Sequence, residues 1–186
     1  MLEVVLLVFI LSATFFVTNS YVLWGLFVLA VLVAFPGVMA MFSGGAPCVG
    51  TTKGRLESIL KLGSFRGSDK VYDLGSGSGR VVRAVADGGV RDVVGFELSL
   101  PAYFYSRFCS VLPTVGGKIK FSNFWKKDFS QADALICFLS DKAMLRFHKE
   151  IWPSLKYGTK VISNEFKLPN IEADEEERRV YLYVKK

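Results

Sequence analysis

Charge is nearly missing from the first 52 residues of this 186-residue chain. Glu3 is the only charged side chain there, and all 23 Lys and Arg lie from Lys53 onward. The remainder sets those 23 basic groups against 16 acidic ones, the 17 of the whole chain less Glu3, for a balance of +7. Such a balance permits nucleic acid, an anionic membrane surface or an acidic partner, and selects none of them. Histidine is limited to His148, and the three cysteines, Cys48, Cys109 and Cys137, form no C-x-x-C pair. A zinc site and a disulfide framework are excluded on that count, and no metal is expected. Cys109 and Cys137 sit in apolar runs and read as buried thiols, which suits a reducing compartment. There is no internal repeat and no low-complexity segment. The start has no basic residue and its apolar run is too long for a cleaved signal peptide.

What the first part holds instead is apolar. Tyr21 to Met41 has the length of about 20 residues that a spanning helix needs, with Tyr21 and Trp24 placed as interface anchors. Val4 to Val17 is shorter and reads as a second span or an extension of the first. The Thr18-Asn19-Ser20 break allows a helical hairpin; one long helix is the alternative. Residues 1–42 are therefore expected to be a membrane anchor of one or two transmembrane helices. Lys53, Arg55, Lys61 and Arg66 are the first basic residues beyond it and place the following domain on the cytoplasmic side. Residues 43–52 form a Gly/Pro linker, and 53–186 is long enough for one core domain.

That domain is organised around Val71 to Arg80, V-Y-D-L-G-S-G-S-G-R. A short apolar run ends in Asp73, Gly75, Gly77 and Gly79 follow at alternate positions, and Val81 to Ala86 is helix-like. Strand, glycine turn and helix let a ligand approach bare backbone. A dinucleotide site wants G-x-G-x-x-G, and a carboxylate just before the turn repels a diphosphate. Asp73 instead suits a ligand carrying positive charge and amino groups.

The rest reads as strands alternating with helices. Thr51 or Thr52 caps a helix whose Leu56, Ile59, Leu60 and Gly63 form a packing face. Asp92 to Phe96 is a buried strand closing on Glu97, about 20 residues past the glycine turn, where a carboxylate can accept both hydroxyls of a ribose. Ser99 caps a third helix, with Pro101 in its first turn. Its Tyr103, Phe104, Tyr105, Phe108 and Leu112 are expected in the core. Lys118 to Ser122 is a short strand. Beyond it Asn123 is placed to hydrogen-bond an adenine edge, with Phe124 and Trp125 against the adenine face. Asp133 to Leu139 and Gly158 to Phe166 are further strands, with Ser140 and Asp141 beyond the first of them. His148 reads as a surface residue of the next helix. Asp174 to Glu177 is an acidic surface run, and Arg179 to Val184 a last strand. The pattern predicts a doubly wound, mainly parallel α/β sheet, with Gly75 to Gly79, Glu97, Asn123 and Ser140 along the carboxyl edge where such sheets bind ligands.

With these residues placed, D-L-G-S-G-S-G resembles motif I of the class I methyltransferases in its D-x-G-x-G-x-G form. Pro47, Val49 and Thr51, G-F-E-L at 95–98, Tyr105 to Arg107, Phe124-Trp125 and Phe166 to Pro169 resemble elements of a narrower group. These are the membrane-anchored lysine methyltransferases of the ATP synthase c-subunit and of the adenine nucleotide translocase, with their prokaryotic relatives. Gly50 stands where that group has proline, and Asn123 where it has an acid. The resemblance implies a Rossmann-like methyltransferase fold with S-adenosylmethionine as cofactor. It implies Thr51, Asp73, Gly75, Ser76, Gly77, Gly79, Glu97, Leu98, Asn123 and Phe124 as cofactor-binding residues. Trp125, Phe138, Ser140 and Phe166 are the candidates for a substrate pocket; no catalytic base is assigned. The expected partners are the lipid bilayer and a membrane or membrane-adjacent protein with an accessible lysine. A lipid or quinone methyltransferase and a non-catalytic cofactor-binding module are the alternatives. Nucleic acid is not expected, because Phe138-Leu139-Ser140-Asp141 lacks the N/D-P-P-aromatic element that grips a flipped base.

Overall fold

The computed structural model describes residues 2–42, 50–109 and 117–186, without the side chains of 2–5, 13, 16, 18, 33–42 and 109. Linker residues 43–49, with Pro47, Cys48 and Val49, and Leu112 of the third helix lie outside the described residues. The chain divides into a unit Met1–Val38 and a unit Met39–Lys186.

The first unit is helical. Helix α1 (Leu2–Phe42) runs for 41 residues, straight through Thr18-Asn19-Ser20, so the hairpin alternative is not what forms. Its polar residues tolerate a helix interior by bonding back one turn: Ser12 Oγ donates to the Val8 carbonyl and Thr14 Oγ1 to that of Ile10, each at 2.6 Å. Phe9, Tyr21, Trp24 and Phe27 are exposed. Among the described residues no helix is long and apolar enough to cross a membrane. The expected transmembrane span is therefore not supported.

The second unit is a seven-stranded sheet with helices on both faces. In chain order it comprises α2 (Lys53–Gly63), β1 (Lys70–Leu74), α3 (Arg80–Asp87), β2 (Asp92–Glu97), α4 (Leu100–Cys109), β3 (Lys118–Phe121), β4 (Ala134–Cys137), α5 (Asp141–Glu150), β5 (Lys160–Asn164), β6 (Glu175–Glu177) and β7 (Val180–Val184). Short 3-10 turns cover Phe124–Lys126 and Trp152–Ser154. The strand order is β3-β2-β1-β4-β5-β7-β6. The first five strands are parallel, and β7 and β6 are antiparallel additions. The chain winds outward from β1 to β3, then restarts at β4 on the other side of β1. That leaves a crevice between the carboxyl ends of β1 and β4, the switch point where doubly wound sheets take ligands.

Side-chain alternation along the central strands builds two cores. Val71, Ala134, Ile136 and Ile162 pack against α2 and α3 through Ile59, Val81, Val82 and Val85. Leu74, Leu135, Cys137 and Val161 pack on the other face against Met144 and Phe147 of α5 and Tyr183 of β7. Strands buried on both faces are apolar throughout, which is why β4 reads A-L-I-C.

Several details depart from expectation. Strand β4 is shorter than Asp133 to Leu139. Asp133 accepts the Lys70 amide at 2.8 Å and pairs with Lys156, while Ser140 caps α5. Strand β5 begins after Gly158, at φ 83°, and stops before Glu165, at φ 78°; neither residue is extended. Thr52 is the N-cap of α2, through its carbonyl and without a side-chain bond. The acidic run lies at the surface as expected, and within it Glu175–Glu177 also forms β6, paired with β7. The connecting Arg178 and Arg179 both have positive φ, 51° and 62°, the backbone of a tight hairpin turn. His148 is half-buried, with a buried Nδ1 that has no hydrogen-bond partner. On α4 the aromatic residues are mostly not core. Tyr103 packs against the α3-side cluster, but Phe104, Tyr105 and Phe108 are exposed.

Candidate active site

Strand β1 delivers Asp73 to the switch point. In register, Asp73 lies beside Gly95 of β2 and Ile136 of β4. Glu97, two residues beyond Gly95, projects from the same face. Asp73 is buried, and burial raises its carboxyl to about 7, with the negative charge of Glu97 adding to the effect. A buried carboxylate held against a second acid is a group lacking a cation.

The glycine turn folds back over this face. Gly75 and Ser76 both donate their N–H to the Phe96 carbonyl at 2.9 Å, and Gly79 donates to the Ser76 carbonyl at 2.8 Å. Gly77 donates to Glu97 Oε2 at 2.7 Å. The other oxygen of Glu97 accepts the amides of Leu98 and Ser99, at 2.9 and 2.7 Å. Four amides of the turn are thus already occupied, so it is not the open N–H cradle that a diphosphate requires. Close packing makes glycine necessary at two places. A Cβ on Gly79, which has φ 76°, would meet Ile119 Cδ1 at 2.2 Å; one on Gly95 would meet Ser76 Cβ at 2.6 Å. Around Gly75 the space is open.

Thr51 is tied to the start of α3 and to the end of β5. Arg80 Nη1 donates to its carbonyl at 2.8 Å, and Asn164 Nδ2 lies 3.4 Å from its hydroxyl. Sequence spacing alone does not single out Arg80 or Asn164. Asn164 ends β5 on the Asp73 face of the sheet, and its Oδ1 is buried without a partner. Its only advance signal is a polar residue closing an apolar strand. Ser76 Oγ is a second buried orphan, inside the turn itself. Buried polar atoms without partners, open space at Gly75 and a carboxyl pair fit a polar ligand with cationic character.

The remaining expected site residues divide. Leu98 is exposed just past Glu97. Asn123 lies beyond β3 at the same edge, but its Oδ1 accepts the Trp125 amide at 3.0 Å, capping the 3-10 turn. Phe124 and Trp125 are partly buried, with ring centroids 4.6 Å apart, and the Arg146 guanidinium lies 4.2 Å from the Trp125 ring centre. One face of Trp125 is therefore taken. Phe138 and Phe166 come together beyond β4 and β5, 6.3 Å between centroids. Ser140 serves as the N-cap of α5, accepting the Ala143 amide at 3.4 Å.

A doubly wound sheet of this strand order, with an acid at the tip of β1, a glycine turn and a second acid at the tip of β2, defines the class I S-adenosylmethionine-dependent methyltransferase domain. Comparison with known proteins narrows the class. The family model for the ANTKMT methyltransferase domain matches residues 73–175, and the chain belongs to that family. The ATP synthase C-subunit lysine N-methyltransferase of Homo sapiens is 35% identical over 131 residues, covering 69% of this chain and 55% of its own length. This chain thus spans about half of that relative. A protein-lysine N-methyltransferase of Saccharolobus islandicus is 28% identical over 149 residues, covering 74% of this chain and 92% of its own. Among solved structures, an RNA methyltransferase from Salinibacter ruber in complex with S-adenosyl-L-homocysteine superposes with a TM-score of 0.68 at 26% identity. It covers 74% of this chain and 94% of that one.

Proposed function

We propose that this chain binds S-adenosylmethionine at the β1–β4 crevice and transfers its methyl group to a lysine side chain of a membrane or membrane-adjacent protein. The observation that carries the cofactor half is the Asp73–Glu97 pair beneath a glycine turn whose amides are already occupied. Support for lysine comes from the human and archaeal relatives, both named as lysine N-methyltransferases.

When bound, S-adenosylmethionine supplies an electrophilic methyl group to the lone pair of the acceptor amine. In this reading Asp73 faces the cationic end of the cofactor, and Glu97 keeps one oxygen on the Gly77 amide while accepting from the ribose. Ser76, Leu98, Asn123 and Phe124 bound the nucleoside, and Thr51 closes over it. An acceptor lysine must lose its proton before it can react, and the half-buried Phe138–Phe166 pair offers a surface that disfavours the ammonium form. The same aromatic faces then stabilise methylated ammonium products. The main task of the site is to hold donor and acceptor in line.

The apolar helix α1, with Tyr21 and Trp24 exposed on it, supports membrane anchoring. The basic residues that follow support a cytoplasmic-side domain. Anchoring raises the effective concentration of membrane substrates.

The test is to incubate the full chain with membranes, RNA and radiolabelled S-adenosylmethionine. Label retained in protein after lipid extraction and nuclease treatment, and recovered as methyl-lysine after hydrolysis, is the expected result. Label confined to lipid or to RNA would replace lysine as the acceptor, and binding without transfer would leave a non-catalytic module.

A further inference from the structure

From Leu98 to Lys127 the chain has no acidic residue and five basic ones, Arg107, Lys118, Lys120, Lys126 and Lys127. Set among them is an exposed apolar surface. Leu100, Phe104 and Phe108 recur every fourth residue along one side of α4, exposed by 40%, 65% and 79%. Leu98 and Phe121, each 46% exposed, extend the surface to the tips of β2 and β3. Tyr103 ties it together, its ring 5.7 Å from those of both Phe104 and Phe121. The inward side of α4 is carried by Tyr103 and by the fully buried Ser106. Strand β3 is the parallel edge of the sheet; Arg107 stands exposed on α4 itself, and Lys118 and Lys120 stand exposed along the edge strand, alternating with Ile119 and Phe121 and so leaving from its other face.

Leucine and phenylalanine at one-turn spacing, in a segment whose charged residues are all basic, is the composition of surfaces that settle into the headgroup–acyl boundary of a bilayer. The cations complement anionic lipid, whose attraction adds up per residue near the surface. A nucleic acid would answer the charge but would leave Leu98, Leu100 and Phe108 without an apolar environment. We propose that this face of α4 and the β3 edge docks on an anionic lipid bilayer. This deepens the membrane reading above, for which α1 is the support, and it stands on different residues. Leu98 directly follows Glu97, so docking would bring the cofactor crevice to the headgroup plane and favour acceptor lysines at that level.

The experiment reconstitutes the full chain in nanodiscs of phosphatidylcholine, with or without phosphatidylglycerol, doped with a photoactivatable acyl-chain probe, and maps cross-links by mass spectrometry. Cross-links on peptides covering 98–108 and 118–121 are expected, stronger with phosphatidylglycerol. In the double variant Phe104→Ser, Phe108→Ser their yield is expected to fall about tenfold or more. Calorimetry with S-adenosylhomocysteine on the same variant, expected unchanged, shows that the domain is folded. Absence of cross-links on this face with phosphatidylglycerol, or equal yield in wild type and variant, would overturn the proposal. So would protection of the face by RNA and not by lipid. Methyl transfer is read separately, with native membranes added as above: cross-links on this face without methyl-lysine in those membranes would sink the lysine reading alone.

Discussion

Asp73 and Glu97 lie on one face of adjoining parallel strands, and the charge of Glu97 adds to burial in lifting the Asp73 carboxyl from 3.8 to about 7. A folded pKa above the unfolded one means that the native state takes up a proton between roughly pH 4 and pH 7. Stability of the ligand-free chain is therefore expected to fall as pH rises through that window and to level off above it. Affinity for a cationic cofactor should do the opposite, rising by up to about tenfold per pH unit toward pH 7, because binding requires ionised Asp73. Calorimetric titration with S-adenosylmethionine from pH 5 to 8 measures this slope. Asp73→Asn should flatten it and weaken binding; an unchanged slope would show that another group titrates.

Glu97 is a clamp as well as a ligand candidate, since it accepts three backbone amides from Gly77, Leu98 and Ser99. Glu97→Ala should cost about 1–3 kcal/mol of stability and release the Gly77 amide to solvent. Hydrogen exchange at Gly77 should then quicken by more than the global loss accounts for, with cofactor affinity reduced. Protection retained at Gly77 would contradict the clamp.

Gly95 has no catalytic atom, yet Gly95→Ala should damage binding. The added methyl would sit 2.6 Å from Ser76 Cβ and 2.7 Å from Val82 Cγ2, so the turn must move. A loss of about 1–3 kcal/mol in denaturant unfolding is expected, together with weaker cofactor binding. The control Gly25→Ala, in helix α1 of the other unit and with open space around it, should leave cofactor binding unchanged and destabilise nothing.

The Arg80–Thr51 bond bridges 29 residues of sequence and joins the start of α3 to the segment before α2. Arg80→Ala should leave unfolding free energy within about 0.5 kcal/mol, as surface changes usually do, while weakening cofactor affinity. Thermal melts with and without S-adenosylhomocysteine would separate the two effects: the ligand-free midpoint holds and the ligand-induced rise shrinks.

Cys137 is fully buried, and burial pushes its thiol up to about 12. Iodoacetamide at pH 8 should leave the Cys137 peptide unmodified in the native chain and modify it in denaturant. Native labelling would mean that the β4–β5 core opens readily.

The site and the sheet were legible in sequence to different depths. Strand, glycine turn and helix at 71–86 were plain, because three glycines in five residues after an apolar run have few other uses, and Asp73 already argued against a diphosphate. The parallel strands showed as apolar runs because both of their faces are covered. Strand β6 was hidden: three glutamates carry no apolar alternation, and Arg178-Arg179 turn with positive φ without the glycine or asparagine that would announce it. The aromatics of α4 could not be assigned by spacing, since a stripe facing the core and a stripe facing outward have the same period.

Sequence alone determined the chemistry on offer: two acids about 20 residues apart, a bare-backbone turn, an almost uncharged first 52 residues and a basic remainder. Those are local properties, written in composition and short-range pattern. Only the tertiary structure decided that β1 and β4 neighbour each other at the switch point and that Asp73 is buried against Glu97. It alone joined Arg80 and Asn164 around Thr51 and turned Phe104 and Phe108 outward. Each of these depends on which strand lies beside which, and pairing between distant segments is set by the packing of the whole sheet rather than by any stretch of the chain.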